Sequence, residues 1–181
     1  MTKSYYIHGY MSEPDSTKGT LLKQKLGVIP IKYRSCPPEE LIISECLENI
    51  SKTIKNDDEI NLIGSSLGGF LAAKTAVNFP SVKKLILFNP AIIPIDYDIL
   101  KIKDMPQSIL RDMISPDLFN KIDCDIFILI GTKDDVVPNN WVIDFAKNQQ
   151  ATVKFLDDDH SFSENIEKIP KIISPILDKK H

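Results

Sequence analysis

Glu59-Ile60-Asn61-Leu62-Ile63-Gly64-Ser65-Ser66-Leu67-Gly68-Gly69-Phe70-Leu71-Ala72-Ala73 is the stretch on which the fold turns. The apolar run up to Ile63 predicts a buried strand, and the residues from Gly69 onward predict a helix. Between them stands Gly64-x-Ser66-x-Gly68. A serine at so sharp a strand-to-helix junction is held in a strained backbone conformation, with its hydroxyl projecting from the sheet edge. Side chains two positions either side would collide with neighbouring backbone, which is why Gly64 and Gly68 sit there. The pattern predicts a nucleophile elbow with Ser66 as the attacking residue.

Working outward, strand-like runs alternate with helical periodicity. Strands are expected at 4–7, 28–33, 60–63, 84–88, 125–130 and 152–156. Helices are expected at 17–26, with Asp15 or Ser16 as cap, then at 39–55, from the elbow to about 79, and at 140–148. In the second helix Ile43, Leu47, Ile50 and Ile54 step by three and four, a one-sided apolar stripe. Near the C-terminus, Ile166, Ile169, Ile173, Ile176 and Leu177 keep helical spacing, interrupted by Pro170 and Pro175. That helix therefore either kinks or starts late, with Pro170 in its first turn. The alternation predicts a three-layer α/β/α domain over residues 1–181, with a mainly parallel sheet of about six strands. Continuously apolar runs such as Leu85-Ile86-Leu87-Phe88 fit strands buried on both faces.

One segment breaks the rhythm. Residues 91–122 are rich in isoleucine, leucine and methionine, punctuated by Pro94, Pro106 and Pro116, and contain no clear strand. A structureless loop of that length is improbable in a domain of this size. Short helices are expected instead, either packed on the core or forming a small cap over the site.

The 181 residues carry a net charge of −3, which gives no basic patch and argues against nucleic acid as partner. No apolar run approaches the roughly 20 residues that span a bilayer. The segment after Met1-Thr2-Lys3 is already strand-like, leaving no room for a signal peptide, so a cytoplasmic location is expected. Cys36, Cys46 and Cys124 lie far apart without a Cys-x-x-Cys pair, so neither a disulfide framework nor a zinc site is indicated. Cys46 and Cys124 read as buried structural thiols.

A serine nucleophile needs a general base and an acid that orients it. Of the three histidines, His181 is terminal and His8 ends the first strand. His160 follows the last strand, in Asp157-Asp158-Asp159-His160-Ser161-Phe162. Parallel strands bring their C-terminal ends to one edge, so His160 can reach Ser66. The acid should follow Ile126-Phe127-Ile128-Leu129-Ile130, where Gly131-Thr132-Lys133 precedes Asp134 and Asp135. For the oxyanion hole, one backbone N–H should come from Leu67 and a second from the His8-Gly9-Tyr10-Met11 loop, with Tyr10 favoured over Met11. His8 is read as structural. The glycine cluster lacks the Lys-Ser/Thr of a phosphate-binding loop. Asp157 to Asp159 and Asp57-Asp58 read as solvated turns, and Trp141 as a packing residue.

Tyr6-Ile7-His8-Gly9-Tyr10, Gly64-Ser65-Ser66-Leu67-Gly68-Gly69, Gly131-Thr132-Lys133-Asp134 and Asp159-His160-Ser161-Phe162 together resemble the small bacterial YqiA-like esterases. The similarity runs from residue 5 to about residue 165. The chain order Ser…Asp…His is also that of α/β-hydrolases. The resemblance implies a compact α/β-hydrolase that cleaves carboxylic esters or thioesters of small molecules without a cofactor or metal. It also implies Ser66 as nucleophile, His160 as base and Asp134, rather than Asp135, as acid. The stretch 92–119 has no counterpart in the resemblance and is expected to shape the substrate pocket. Two other readings are an acyltransferase and a non-catalytic hydrolase-fold protein that binds a small ligand or a partner.

Overall fold

The computed structural model describes residues 2–178. In chain order its elements are β1 (Lys3–Ile7), α1 (Thr17–Leu26), β2 (Ile29–Pro30), α2 (Ile43–Ile54), β3 (Ile60–Ser65), α3 (Leu67–Asn78), β4 (Val82–Phe88), α4 (Gln107–Met113), β5 (Asp125–Gly131), α5 (Asn139–Gln149), β6 (Thr152–Leu156) and α6 (Ile169–Asp178). Short 3-10 turns lie at Pro38–Glu40, Ile99–Lys101, Pro116–Phe119 and Ile166–Lys168. The strands form one sheet in the order β2-β1-β3-β4-β5-β6. All neighbours run parallel. This is the three-layer α/β-hydrolase fold, and every strand's C-terminal end emerges on the same edge.

Side chains alternate across the sheet, as the two-residue strand period requires. Leu62, Leu85, Leu87, Ile126, Ile128 and Ile130 face a core shared with α2, α3 and α5. Ile63, Ile86, Phe88 and Leu129 face a second core shared with α1 and α6. The continuous apolar runs in the sequence therefore serve two cores at once.

Two boundaries differ from expectation for identifiable reasons, and two open alternatives are decided. β2 is two residues long rather than 28–33. It is an edge strand, and Pro30 has no N–H to extend the ladder; the next bond is Ile31 N–H to the Tyr6 carbonyl at 2.8 Å. α2 starts at Ile43 rather than 39, because Pro38–Glu40 forms a separate 3-10 turn and Leu41 and Ile42 are extended. That extension buries Leu41 in the core. At the C-terminus the late start prevails: α6 begins at Ile169, with Pro170 in its first turn, where a missing N–H costs nothing. Of the two expected α1 caps, Ser16 fills the role, its Oγ accepting the Gly19 N–H at 3.3 Å.

The 91–122 segment contains the Ile99–Lys101 turn, α4 and the Pro116–Phe119 turn. Ile92, Ile93, Ile109, Leu110, Met113 and Leu118 are buried in the larger core. Both ends are fastened. The Ala91 N–H donates to the Ser66 carbonyl at 3.0 Å. The Ile122 N–H donates to Gln149 Oε1 at 2.8 Å, and Gln149 Nε2 donates to the carbonyls of Leu118 at 2.9 Å and Asn120 at 2.7 Å. Gln149 itself is buried on α5.

Candidate active site

Ser66 is the residue between β3 and α3, and its backbone has φ 55° and ψ −119°. A non-glycine residue in this region is strained and persists only where its surroundings over-determine it. Here the Ser66 N–H donates to the Phe88 carbonyl at 3.0 Å. The Ser66 carbonyl accepts from Gly69 at 2.9 Å, Phe70 at 3.2 Å and Ala91 at 3.0 Å. The flanking glycines make room for the turn. A Cβ on Gly68 would stand 2.1 Å from the Ile7 carbonyl oxygen, and one on Gly64 would stand 2.3 Å from that of Gly68.

His160 and Asp134 approach from the loops after β6 and β5. His160 Nδ1 and Asp134 Oδ2 are 2.8 Å apart, and the Asp134 side chain is fully shielded from solvent. Asp134 Oδ1 accepts the N–H groups of Val136 at 2.8 Å and Val137 at 2.9 Å. Asp134 thus fits one oxygen to the backbone and the other to the imidazole. Asp135 is exposed, and the His160 contact belongs to Asp134. Ser66 and His160 both line a cavity of about 740 Å³, as do Tyr10, Met11, Gly9 and Trp141. Trp141 packs edge-on against Tyr97, with ring centroids 4.5 Å apart. Among the described residues no backbone carbonyl accepts the Tyr10 or Leu67 N–H, and Leu67 opens α3, where the helix dipole favours an anion.

His8 is fully buried and stacks on Tyr33 at 4.3 Å between centroids. Burial pushes its pKa down, so the ring is neutral. Tyr33 fixes the start of the Tyr10 loop, its hydroxyl donating to the carbonyls of His8 at 3.2 Å and Gly9 at 3.3 Å. His181 lies outside the described residues. Cys46 is buried and its thiol pushed up to about 11 by burial, whereas Cys124 is only half-buried. Among the described residues no His, Cys, Asp and Glu side chains cluster as metal ligands. Among them too, no helix is long and apolar enough to cross a membrane.

Sequence reasoning missed three organising residues. Asn89, buried at the end of β4 with φ 43°, accepts the Gly131 N–H at 2.8 Å through Oδ1. Its Nδ2 donates to the His160 carbonyl at 3.0 Å, so one side chain ties the β5 exit to the histidine loop. The signal was a lone polar residue between an apolar strand and Pro90. Arg34, also buried, donates to the carbonyls of Cys36 at 2.8 Å and Ser12 at 2.8 Å and pairs with Glu13 at 3.1 Å, holding the loop that carries Tyr10. Asp158 corrects the solvated-turn reading. It is buried, and it accepts the N–H groups of Asp159 at 2.9 Å, Glu164 at 3.2 Å and Asn165 at 2.8 Å. These bonds shape the loop that presents His160.

Solved structures share this fold at low sequence identity. Est1E from Butyrivibrio proteoclasticus, in a structure with ferulic acid bound, is 18% identical, with a TM-score of 0.79 over 98% of this chain and 88% of that one. A structure from work on LipS and LipT, two metagenome-derived lipolytic enzymes, is 14% identical, with a TM-score of 0.81 over 99% of this chain and 94% of that one. Mouse alpha/beta hydrolase domain-containing protein 10 is 18% identical, with a TM-score of 0.76 over 97% of this chain and 89% of that one. The profile of the Uncharacterised protein family (UPF0227) matches residues 3–176, nearly the whole chain. With its fold and its motif blocks agreeing, the chain belongs to this YqiA-like family.

Proposed function

We propose that the protein is a serine esterase, acting on carboxylic esters or thioesters through an acyl-enzyme on Ser66. The observation that carries this reading is the His160–Asp134 contact of 2.8 Å, with His160 and Ser66 facing one cavity. With Asp134 accepting the Nδ1 proton, Nε2 is the free acceptor for the Ser66 hydroxyl proton. Ser66 Oγ then bonds to the acyl carbon, and the carbonyl oxygen takes the negative charge beside the Tyr10 and Leu67 N–H groups. His160 returns the proton to the leaving oxygen or sulfur, and the acyl–leaving-group bond breaks. Water, deprotonated by His160 in turn, releases the acid. No step needs a metal or an organic cofactor.

The chain works as one α/β-hydrolase domain, in which 91–122 is a fixed wall of the acyl pocket. Its Ile93, Leu110 and Met113 are buried and also line the cavity, which supports an apolar acyl group. Three free thiols suit a reducing, cytoplasmic setting. The test is labelling with a serine-directed fluorophosphonate, with Ser66→Ala as control. Native protein should label and the variant should not; unlabelled native protein, or an equally labelled variant, defeats the reading.

A further inference from the structure

The cavity beside Ser66 has two unlike walls. Ile93, Met105, Leu110, Met113, Val137 and Trp141 line one part, and all pack with the larger core. Tyr6, Ser16, Lys18, Ser65, Ser161 and Ser163 line another. Tyr6 belongs to the second core, on the opposite face of the sheet. The cavity therefore crosses the C-terminal edge of the sheet, from an apolar chamber to a hydroxyl-lined one.

Lys18 is the unusual member of the second wall. It is 8% exposed, yet among the described residues it forms an ion pair with no carboxylate. Its Nζ donates to Ser65 Oγ at 3.0 Å and lies 5.5 Å from the Phe88 ring centroid and 5.4 Å from that of Phe162. One hydroxyl and two ring faces are thin compensation for a buried ammonium. The Tyr6 hydroxyl sits beside Ser65 and Ser16, adding neutral hydrogen-bonding groups around the charge. Burial pushes Lys18 down to about 8, while Asp159 and Asp158 act against that shift, so it stays mostly charged at neutral pH. Both carboxylates are engaged in the histidine loop: Asp158 accepts from three backbone N–H groups, and Asp159 accepts from the Ser161 N–H at 2.9 Å and from Ser163. They sustain the cation without capturing it.

We propose that Lys18, with the hydroxyls of Ser65 and Ser16, forms a subsite for a carboxylate on the leaving group of the ester. The inference rests on the esterase reading. A single ammonium among hydroxyls matches one negative charge, which favours a carboxylate over a phosphate dianion. The placement on the leaving-group side follows from proton return: the leaving atom must come within reach of His160, and the flanking Ser161 and Ser163 line the hydroxyl wall. The apolar chamber then holds the acyl chain. The substrate class is an aliphatic acyl ester of a hydroxy acid.

The test compares 4-butanoyloxybenzoate with its methyl ester, which has the same reacting bond and a masked carboxylate. Native protein should show kcat/KM at least about ten-fold higher for the free carboxylate. Lys18→Met and Lys18→Gln should bring that ratio close to one, and Lys18→Arg should retain most of it. Using ratios removes any general loss of folded enzyme, and a neutral variant that fails to fold leaves the native ratio and the other variant to decide. Equal rates in native protein, or a preference that survives both neutral replacements, overturn the subsite while leaving the esterase reading intact. No hydrolysis of either ester, together with no fluorophosphonate labelling, overturns both.

Discussion

Replacing Asp134 with asparagine sets two demands against each other, and the structure says which wins. Oδ1 of Asp134 accepts two backbone N–H groups, from Val136 and Val137, while Oδ2 meets His160 Nδ1. Asparagine has one carbonyl oxygen. If that oxygen stays with the backbone, the NH₂ group faces Nδ1, and the ring proton must move to Nε2. His160 can then no longer accept the proton of Ser66. The flipped amide restores the tautomer but turns its NH₂ towards two N–H donors, leaving both unpaired at about 1–3 kcal/mol each. Even the lower sum of about 2 kcal/mol holds the productive orientation near 3%, at 1.36 kcal/mol per ten-fold. The expected fall in kcat is therefore at least about 30-fold. Losing the charge that supports the imidazolium carries it towards the ~10⁴-fold seen when a triad aspartate is made asparagine in a serine protease. The assay is steady-state hydrolysis of p-nitrophenyl butyrate, with Asp135→Asn as control. Asp135 is exposed, so its variant should stay within about two-fold of native protein. Near-native activity in Asp134→Asn, or a larger loss in Asp135→Asn, refutes the reasoning.

Asn89→Ala removes the acceptor for the buried Gly131 N–H and the donor to the His160 carbonyl; urea unfolding should show a loss of about 2–4 kcal/mol. In whatever folds, kcat should fall more than KM rises, because the histidine loop is displaced rather than the acyl pocket. Gly68→Ala places a Cβ 2.1 Å from the Ile7 carbonyl oxygen and 2.4 Å from that of His8. Fluorophosphonate labelling should be lost and the protein destabilised by roughly 3 kcal/mol or more; native-like labelling contradicts the steric account. Asp158 has its pKa held below the ordinary 3.8, against the burial that raises it, by the Asn165 side chain and the backbone N–H groups of its loop. Its contribution is thus complete above pH 3.8 and disappears as pH falls through the depressed value. The gap in urea midpoint between native protein and Asp158→Asn should be wide at pH 7 and shrink at strongly acidic pH; a constant gap counts against this. Met105→Trp fills the apolar chamber, so a panel of p-nitrophenyl esters should show a shift towards shorter acyl chains by about ten-fold in relative kcat/KM. An unchanged chain-length profile removes Met105 from the acyl wall.

What was legible in the sequence followed from local rules. The Gly64-x-Ser66-x-Gly68 turn announced itself because steric exclusion leaves few residues able to occupy it, and the flanking strand and helix carry strong periodicity. His160 and Asp134 were readable because parallel strands deliver successive loops to one edge. Choosing Asp134 over Asp135 took the family resemblance, since both follow the same glycine. Asn89 and Arg34 stayed hidden because key partners are distant in sequence: Asn89 bonds to residues 131 and 160, Arg34 to residues 12 and 13, and none of these spacings has a period. Asp158 was misread because its two acidic neighbours suggested solvent, whereas the chain folds back so that residues 164 and 165 enclose it. The short β2 and the late α2 reflect Pro30 and the demand of Leu41 for the core, a tertiary pull that propensity does not register.

The fastening of 91–122 has a meaning for how this scaffold diversifies. Its entry is hydrogen-bonded to the Ser66 carbonyl, and its exit to one glutamine on a neighbouring helix. Between these anchors Ile92, Ile93, Ile109, Leu110, Met113 and Leu118 fill the larger core, so any replacement must keep those apolar positions, whereas exposed ones such as Ile95 and Leu100 are free to vary. The segment is thus anchored at Ala91 and at Ile122 and braced between them by its own core residues. On the proposed esterase reading, varying its cavity-lining Ile102 and Met105 while keeping its core residues offers a route to new acyl preferences.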